Sequence, residues 1–226
     1  MSVDWSLYLV TDPRLGGGPD VVPRKVYEAV LGGVTVVQFR DKSAPDVEFA
    51  RRALAVAAAV DSASETTGRR VPLFVNDRVR IAADLGLDVH IGQGDAPLAE
   101  VRRQFPRPAM VGVSVSTPAH LDAVLAGGGP PPDVLGIGPV WVTKTKTDTP
   151  APLGPRQTDA LARQAHRHAI ASVGIGGITI DTAAALASTR VDGMCVVSTI
   201  MAATDPRRAA AALLDRWVRA RPGPTR

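Results

Sequence analysis

Three polar side chains in alternate positions end the second apolar run of the sequence: Gln38, Arg40 and Lys42. Alternate residues of an extended strand point to the same side, so an amide and two cations face one side together. Such a group is suited to a phosphate or another anion. Considered alone, however, a charged strand end is more typical of a solvated rim, and both interpretations stay open at this point.

Carboxylates follow the next two apolar runs. Asp77 comes after Asn76 at the end of the third run, and Asp95 follows the fourth. If these runs are adjacent parallel strands, the two carboxylates could share a hard cation such as Mg²⁺. Asp77 is equally suited to cap the helix that follows it. His90 lies within the fourth run, and we expect a hydrogen-bonded core histidine rather than a metal ligand or a base.

Hydroxyl and ammonium groups alternate in the segment TKTKTD at residues 143–148. Side chains of this kind can surround a pyrophosphate, and a loop can close over a bound ligand. The connection that contains them is longer than usual for a strand-to-helix loop, which indicates a functional insertion. We therefore expect a lid that closes over a bound pyrophosphate, with Trp141 packed at the base of the loop. The alternative is a disordered basic loop.

Glycines follow the seventh run, in the segment GIGGIT at residues 174–179, and Ser198 ends the eighth. Backbone N–H groups at these two places of a barrel commonly bind phosphate. Glycine-rich turns also occur for steric reasons alone, but the paired position favours a phosphate site. We expect a side chain at Gly177 to obstruct the phosphate oxygens.

Eight short runs rich in β-branched residues must position these groups. They span residues 6–11, 34–40, 71–76, 88–93, 109–114, 133–138, 169–175 and 193–198. Near-continuous apolar runs, each followed by a segment of helical length, are typical of parallel strands buried on both faces. Eight units of about 28 residues predict a single-domain α/β fold, the (β/α)₈ TIM barrel. A doubly wound sheet is the alternative, but it usually needs fewer strands.

Local signals also predict where helices begin and where loops lie. Thr117, Gly154 and Asp205 each precede a proline, a pattern typical of a helix start. Residues 61–70 and 126–132 are rich in turn-forming residues, and we interpret both as surface loops.

The helix after the second run has an alanine-rich sequence, PDVEFARRALAVAAAV. Its spacing predicts a buried face formed by Val47, Ala50 and Leu54, with Ala57 or Ala58 continuing it. Arg51 and Arg52 are then expected to point outward.

Composition excludes several classes of protein. The chain has 226 residues, of which 45% are hydrophobic, and one core can form without disulfides or a structural metal. A formal charge of +4 and an aromatic content of 4% argue against nucleic-acid binding. No uncharged apolar stretch reaches the roughly 20 residues of a membrane helix. Cys195 is the only cysteine and the N-terminus lacks a secretory pattern, so we expect a cytoplasmic protein.

The expected domain organisation is one barrel over residues 1–220, followed by a frayed tail at 221–226. Four arginines within residues 216–226 stand beside proline and glycine, which suggests a solvated end.

Taken together, these segments resemble the thiamine-phosphate synthase family, barrel enzymes that join the pyrimidine and thiazole halves of thiamine. The resemblance extends from Leu7 to Ile200 and is carried by LYLVTDP, VVQFRDK, LFVNDRVRIAADLGLDVHIGQGD, GVSVST, GIGPVWVTKTKTD, GIGGI and DGMCVVSTI. No single motif is specific for this family, but the full set of motifs in this order along the chain is.

The resemblance implies a ligand set. It implies Mg²⁺ at Asp77 and Asp95. The pyrophosphate of the aminopyrimidine substrate would be held by Arg40, Lys42, Asn76 and Lys146, of which Arg40, Lys42 and Lys146 would also be catalytic. The pyrimidine would lie near Gln38 and Ser114. The thiazole phosphate would be held by Thr143, Thr145, Gly177, Val197 and Ser198.

The implied reaction is a dissociative substitution: diphosphate leaves, and the thiazole nitrogen captures the pyrimidinylmethyl cation. This nitrogen already has a lone pair, so the reaction needs no general base. The implied partners are the two small-molecule substrates, and a homo-oligomer is possible. Whether the thiazole is carboxylated is left open by the sequence.

The sequence departs from the family pattern at Val142, Phe39 and Asp41, which raises the question of loop rigidity rather than of ligand identity. Two other functions remain as alternatives. A thiazole tautomerase on a related barrel has no use for a group that binds pyrophosphate, and a non-catalytic phosphate-binding barrel has no use for paired carboxylates facing a cationic loop.

Overall fold

The computed structural model describes residues 3–127, 129–143 and 150–221. Within these ranges, eight parallel strands pair in sequence order, and β8 pairs with β1 to close a barrel. The strands are β1 (Leu7–Val10), β2 (Val36–Phe39), β3 (Leu73–Asn76), β4 (Asp88–Ile91), β5 (Val111–Val115), β6 (Val134–Ile137), β7 (Ala171–Ile175) and β8 (Gly193–Val196). The prediction of a single-domain (β/α)₈ barrel is confirmed.

Helices surround the barrel and connect its strands. They are α1 (Val22–Leu31, after a 3₁₀ turn at Pro19–Val21), α2 (Asp46–Thr67), α3 (Val79–Asp84), α4 (Leu98–Gln104), α5 (Pro118–Ala126), α6 (Gly154–Arg167), α7 (Ile180–Ala187), α8 (Ser198–Met201) and α9 (Pro206–Ala220). None of the helices in the described ranges is both long and apolar enough to cross a membrane.

The three predicted helix starts are confirmed. The Thr117 side chain accepts a hydrogen bond from the His120 N–H, and Asp205 accepts one from the Arg208 N–H, as N-caps do. Helix α6 begins at Gly154 without a side-chain cap.

The predicted buried face of α2 is wrong. Phe49, Ala53 and Val56 are buried, whereas Val47 and Leu54 are 87% and 53% exposed. The error has a physical origin, because an alanine-rich helix has several faces of similar hydropathy and the spacing alone does not choose among them. The large ring of Phe49 decides the face that packs on the barrel.

One predicted loop segment also differs from the structure. Residues 61–67 belong to α2, which ends where Gly68 adopts a left-handed conformation with φ 65°. Residues 216–220 belong to α9, and Arg221 donates a hydrogen bond of 2.6 Å to the Val191 carbonyl. The predicted loop at 126–132 is confirmed for residues 127 and 129–132.

The hydrophobic side chains form two clusters, one inside the barrel and a larger one between the strands and the helices. Tyr8, Val36 and Phe74 belong to the inner cluster, which fills the lower part of the barrel. Because all strands are parallel, their carboxyl ends meet at one end of the barrel, called here the upper rim. The polar residues that follow the strands are thereby brought together.

Closure of the barrel leads to a stability prediction. Gly193 begins β8, and a Cβ atom built there would overlap the backbone carbonyl oxygen of Trp5. Gly193→Ala should therefore force β1 and β8 apart and lower the free energy of unfolding by about 2 kcal/mol or more, measured by urea denaturation.

The matched control is Gly127→Ala, where the nearest atom to a new Cβ is the Val124 carbonyl oxygen at 3.5 Å. This variant should change the free energy of unfolding by less than ~1 kcal/mol. Equal stability of the two variants would contradict the close packing of β1 against β8.

Candidate active site

A cavity of about 350 Å³ opens at the upper rim, and residues at or after all eight strand ends line it. The sequence analysis selected thirteen site residues, and eleven of them line this cavity: Gln38, Arg40, Lys42, Asn76, Asp77, Asp95, Ser114, Thr143, Gly177, Val197 and Ser198. Thr145 and Lys146 lie outside the described residues, as does most of the expected lid at 143–148. The structure thus brings the described residues together, while their roles in binding stay predictions.

Hydrogen bonds from the residue after β1 hold the end of β2, which carries the cation Arg40. The Thr11 hydroxyl accepts a hydrogen bond from the Arg40 N–H at 2.9 Å and donates one to the Arg40 carbonyl at 3.2 Å. The Thr11 N–H donates to the Gln38 carbonyl at 2.9 Å. These contacts hold the backbone that carries the Gln38 and Arg40 side chains.

Asp12 forms a long ion pair with the Arg40 guanidinium, and sequence reasoning missed this residue. Its carboxylate is buried and lies 3.9 Å from Arg40 Nη1. It also accepts hydrogen bonds of 3.0 and 2.8 Å from Arg14 Nε and Nη2. Burial acts to raise the pKa of Asp12, but the hydrogen bonds from Arg14 and the charges of Arg14 and Arg40 outweigh it, so the pKa is lowered. Sequence reasoning could have found Asp12 from its position, because it follows the first strand in the segment LYLVTDP.

A second buried carboxylate, Asp41, supports the turn that carries Lys42. It accepts hydrogen bonds from the Ser43 N–H at 3.0 Å and the Ala44 N–H at 3.2 Å. Arg52 on α2 donates to it at 2.7 Å. The expectation that Arg52 points outward is therefore wrong, because its charge pairs with the buried Asp41 carboxylate.

The loop after β3 places Asp77 beside Lys42. Asp77 has a left-handed backbone with φ 64°, and its N–H donates to the His90 carbonyl at 2.9 Å. Strained backbone of this kind occurs often at functional sites. Lys42 Nζ lies 3.4 Å from Asp77 Oδ2. Asp77 is not the cap of the next helix, because α3 begins at Val79 without a side-chain cap.

Asp95 is the second carboxylate at this side of the cavity. It ends a tight turn after β4, in which the Gly92 N–H donates to Asp95 Oδ2 at 2.6 Å. Burial raises the pKa of Asp95, and the charge of Asp77 acts in the same direction, while the Gly92 N–H and Lys42 oppose them. Two carboxylates that repel each other at close range are relieved by a cation between them.

The donor set at this position fits Mg²⁺. Within the described residues, no group of three or more histidine, cysteine, aspartate or glutamate side chains is close enough to form a metal cage. Mg²⁺ does not need one, since it is usually bound by one or two carboxylates together with waters and substrate phosphates. Asp77 and Asp95 supply two hard oxygen donors of this kind.

The lower part of the cavity, called here the floor, is formed by Tyr8, Gln38, His90, Ser114 and Cys195. His90 Nε2 lies 3.0 Å from Ser114 Oγ, which confirms the expected hydrogen-bonded core histidine. Burial lowers the pKa of His90 to about 4, so its imidazole is neutral at pH 7. Burial also raises the pKa of Cys195, which therefore stays a thiol.

The opposite side of the cavity is built from glycine backbone. Gly176 and Gly177 follow β7 with φ 97° and 67°, and the Trp141 N–H donates to the Gly176 carbonyl at 3.0 Å. A Cβ at Gly177 would lie 2.7 Å from both Trp141 Cβ and the Val142 carbonyl oxygen. The expectation for Gly177 is corrected accordingly: a side chain there would first disturb the loop after β6. Trp141 packs against the main core, as predicted.

The short helix α8 is held at both ends. Thr199 Oγ1 donates to the Ile178 carbonyl at 2.7 Å, which ties the start of α8 to the segment after β7. Lys25 is buried and donates to the Met201 and Ala203 carbonyls at 2.6 and 2.8 Å. Its charge therefore satisfies carbonyl groups at the end of α8. The backbone of Val197 and Ser198 is thus fixed where it lines the cavity.

The role of Asp12 can be tested with inorganic pyrophosphate. Asp12→Asn should weaken pyrophosphate binding about 10-fold, measured by isothermal titration calorimetry, because Arg40 loses its charged partner. Removal of a negative charge alone would tighten anion binding, so weaker binding reports the lost orientation. Asp20→Asn, at an exposed position, is the charge-matched control and should bind no more weakly than the parent. Unchanged or tighter binding by Asp12→Asn would contradict the positioning role.

Three comparisons with known proteins agree on the relatives of the chain. Its sequence is 49% identical over 218 residues to the thiamine biosynthesis multifunctional protein ThiED of Corynebacterium efficiens, covering 95% of this chain but only 29% of that protein. It is 38% identical over 218 residues to a thiamine-phosphate synthase of Desulfitobacterium hafniense, covering 96% of this chain and 99% of that protein. This chain therefore spans less than a third of the multifunctional relative and nearly all of the shorter one.

The structure gives a matching result. It superposes on the thiamine phosphate pyrophosphorylase of Pyrococcus furiosus with a TM-score of 0.81 and 27% identity, covering 96% of this chain and 98% of that one. The sequence profile of the thiamine monophosphate synthase family matches residues 7–200, a range that contains every residue of the cavity. The chain therefore belongs to the thiamine monophosphate synthase family.

Proposed function

We propose that the chain is a thiamine-phosphate synthase. This transferase condenses 4-amino-2-methyl-5-hydroxymethylpyrimidine diphosphate with a thiazole phosphate and releases thiamine phosphate and pyrophosphate. The observation that carries the proposal is the charge arrangement at the upper rim, where Arg40 and Lys42 lie beside Asp77 and Asp95 at the mouth of one cavity. Family membership supports the same function.

The cationic part of the rim is suited to the diphosphate. Arg40 offers a planar fork of N–H donors, and Lys42 offers a mobile ammonium group that is 57% exposed. Asn76 at the end of β3 adds an amide donor. As the bond to the diphosphate breaks, negative charge collects on the leaving oxygens, and fixed cations stabilise this state more than the ground state.

In this proposal Asp77 and Asp95 hold Mg²⁺. When bound, the ion neutralises negative charge on the diphosphate and so makes it a better leaving group. Lys42, one of the two cations of the rim, has its Nζ 3.4 Å from Asp77 Oδ2. The proposed metal ligands and the cations of the rim are therefore neighbours.

The chemical step needs no proton transfer in the proposed mechanism. The bond between the pyrimidinylmethyl carbon and the diphosphate oxygen breaks, and its electron pair leaves with the diphosphate. The lone pair of the thiazole nitrogen then forms the new C–N bond. The chain must orient the two reactants and exclude water, which would otherwise capture the cation. The buried floor, with its neutral His90 and protonated Cys195, is suited to a pyrimidine ring rather than to a base.

The second substrate is assigned to the opposite side of the cavity. Thr143, Gly177, Val197 and Ser198 line that side, and backbone N–H groups there are suited to the phosphate of the thiazole. Thr145 and Lys146 are assigned to the same loop by resemblance alone. A cytoplasmic location and a homo-oligomer stay predictions from the sequence.

A turnover assay tests the function directly. The chain is incubated with both phosphorylated substrates and Mg²⁺, and thiamine phosphate and pyrophosphate are quantified. The proposal expects equal amounts of the two products, and parallel assays with carboxylated and decarboxylated thiazole phosphate identify the accepted form. Isomerisation of the carboxylated thiazole without consumption of pyrimidine would indicate a tautomerase. Binding of both substrates without any product would indicate a non-catalytic barrel.

Removal of either proposed metal ligand should abolish activity. Asp77→Ala and Asp95→Ala are each expected to lower kcat by about 100-fold or more while the circular dichroism spectrum stays unchanged. Asp84→Ala, at an exposed position on α3, is the control and should keep the parental rate. Full activity in EDTA would contradict the assignment of Mg²⁺ to this pair.

Lys146 should act on the leaving group rather than on substrate docking. Lys146→Ala is expected to slow single-turnover C–N bond formation at saturation about 100-fold, with a smaller change in affinity for the pyrimidine diphosphate. Lys144→Ala, two positions earlier in the same segment, should have a smaller effect on this rate. If Lys146→Ala weakens binding but reacts at the parental rate once saturated, the lysine is only a docking charge.

A further inference from the structure

Arg78 has no role in the chemistry described so far, although it directly follows Asp77, a proposed metal ligand. It is not among the described residues that line the cavity. Its guanidinium contacts the segment that joins β2 to α2 instead. A side chain that points away from the ligand beside it can still affect that ligand through the backbone that the two residues share.

Contacts with one short segment hold the Arg78 guanidinium. Nη2 donates a hydrogen bond to the Ala44 carbonyl at 2.5 Å, and Nη1 pairs with the Asp46 carboxylate at the start of α2. Arg78 Cζ lies 4.4 Å from the centroid of the Phe49 ring, a cation–π contact. The Asp46 carboxylate is largely exposed, and an exposed ion pair contributes little, so the carbonyl and the ring are the stronger contacts.

The surface that holds Arg78 is itself fixed to the barrel. Phe49 is buried and packs on Phe39 of β2, with ring centroids 4.7 Å apart. Ala44 is also buried, and its N–H donates to Asp41 Oδ1 at 3.2 Å. These contacts do not involve Arg78, so the segment can act as a support for the guanidinium.

The backbone turns tightly at Asp77 and again at Arg78. The Arg78 N–H donates to the Asn76 carbonyl at 2.8 Å around Asp77, whose φ is 64°. The Val79 N–H then donates to the Asp77 carbonyl at 2.8 Å around Arg78, which has φ −78° and ψ 72°. The second is an inverse γ-turn, which is common, whereas a three-residue turn with a positive φ at its centre is rare and strained.

A strained turn of this kind persists only where surrounding contacts hold it. On the inner side, the Asp77 N–H donates to the His90 carbonyl at 2.9 Å. On the outer side, the Arg78 guanidinium is held by the segment at 44–49. The turn is thus supported on both sides, and the Asp77 carboxylate stays at the cavity, with Oδ2 3.4 Å from Lys42 Nζ.

We infer that Arg78 is a positioning residue, which holds the strained turn at Asp77 and so keeps this carboxylate in place for a divalent cation. The inference rests on the proposed function, since it concerns a proposed metal ligand. If Arg78 no longer holds the turn, the Asp77 backbone can relax, and the apparent affinity for the cation falls with the fraction of molecules that stay competent. The turn that carries Lys42 is held separately by Asp41, so diphosphate binding without metal should change little.

The test measures pyrophosphate binding by calorimetry in the parent and in Arg78→Lys, with and without Mg²⁺. Lysine keeps the charge but lacks the planar fork that reaches the carbonyl and stacks on the ring. At one Mg²⁺ concentration below saturation, Arg78→Lys should bind pyrophosphate about 10-fold more weakly than the parent, and without Mg²⁺ the two should agree within about 2-fold. Because both proteins are titrated at the same Mg²⁺ concentration, magnesium pyrophosphate in solution affects both equally.

Turnover gives a second readout. The Mg²⁺ concentration that gives half-maximal activity should rise about 10-fold in Arg78→Lys, while kcat at saturating Mg²⁺ stays within about 2-fold of the parent. The KM for thiazole phosphate should not change. Arg80→Lys, at an exposed position on α3, is the matched control and should equal the parent in every measurement.

The dependence on Mg²⁺ distinguishes positioning from a general structural role. Equal weakening of pyrophosphate binding with and without Mg²⁺ would mean that the rim as a whole has loosened, and would overturn the inference. Unchanged binding in both conditions would also overturn it, because the turn would then hold without Arg78. Arg78→Gln, which loses both the charge and the fork, should show the same dependence on Mg²⁺ as Arg78→Lys.

Binding of inorganic pyrophosphate separates this inference from the proposed function. If the parent forms no thiamine phosphate, but Arg78→Lys loses affinity for pyrophosphate only in the presence of Mg²⁺, the proposed function fails and the inference stands. If the parent forms thiamine phosphate, but Arg78→Lys keeps the parental affinity with Mg²⁺, the inference fails and the proposed function stands.

Discussion

Every feature of the site depends on the pairing of β8 with β1, because this pairing closes the barrel and brings eight strand ends to one rim. The closure is sterically narrow: Gly193 in β8 lies so close to the Trp5 carbonyl that a methyl group would not fit. Residues distant in sequence, such as Gln38, Asp95 and Ser198, meet around one cavity because the sheet closes on itself. A parallel barrel also sends each following loop to that rim, where backbone N–H groups and side chains can reach a ligand.

The charges of the rim are supported by charges below it. Asp12 and Asp41 are buried carboxylates, and each is paired with arginine and with backbone N–H groups. Charges in such positions stay ionised and hold their neighbours, since an unpaired buried charge would be costly. Asp77 and Asp95 differ, because burial and the charge of Asp77 raise the pKa of Asp95, while the Gly92 N–H and the half-exposed Lys42 act against this rise. Below the rim, the charges of Asp12 and Asp41 are paired within the chain. At the rim, the charges of Asp77, Asp95 and Lys42 are the ones proposed to bind ligands.

Sequence reasoning predicted the barrel because eight apolar runs separated by helical segments have few other solutions. It also selected the polar residues after each strand, since the strand ends mark the rim. It failed where the answer depends on contacts between elements. The face of α2 was decided by Phe49 and the barrel surface, and the role of Asp12 by a guanidinium 28 positions further along the chain. Asp77 looked equally like a cap or a ligand until its left-handed backbone and the uncapped start of α3 were seen.

The proposed function requires the cations and the carboxylates of the rim to form one site for a diphosphate and Mg²⁺ together. Calorimetric titration of pyrophosphate at several Mg²⁺ concentrations measures this coupling directly, with the Asp77→Ala/Asp95→Ala double variant correcting for magnesium pyrophosphate formed in solution. Mg²⁺ should tighten pyrophosphate binding to the parent about 10-fold or more beyond its effect on the double variant, because the ion would relieve the repulsion of the carboxylates and contact the ligand. Equal Mg²⁺ dependence in the parent and the double variant would contradict it.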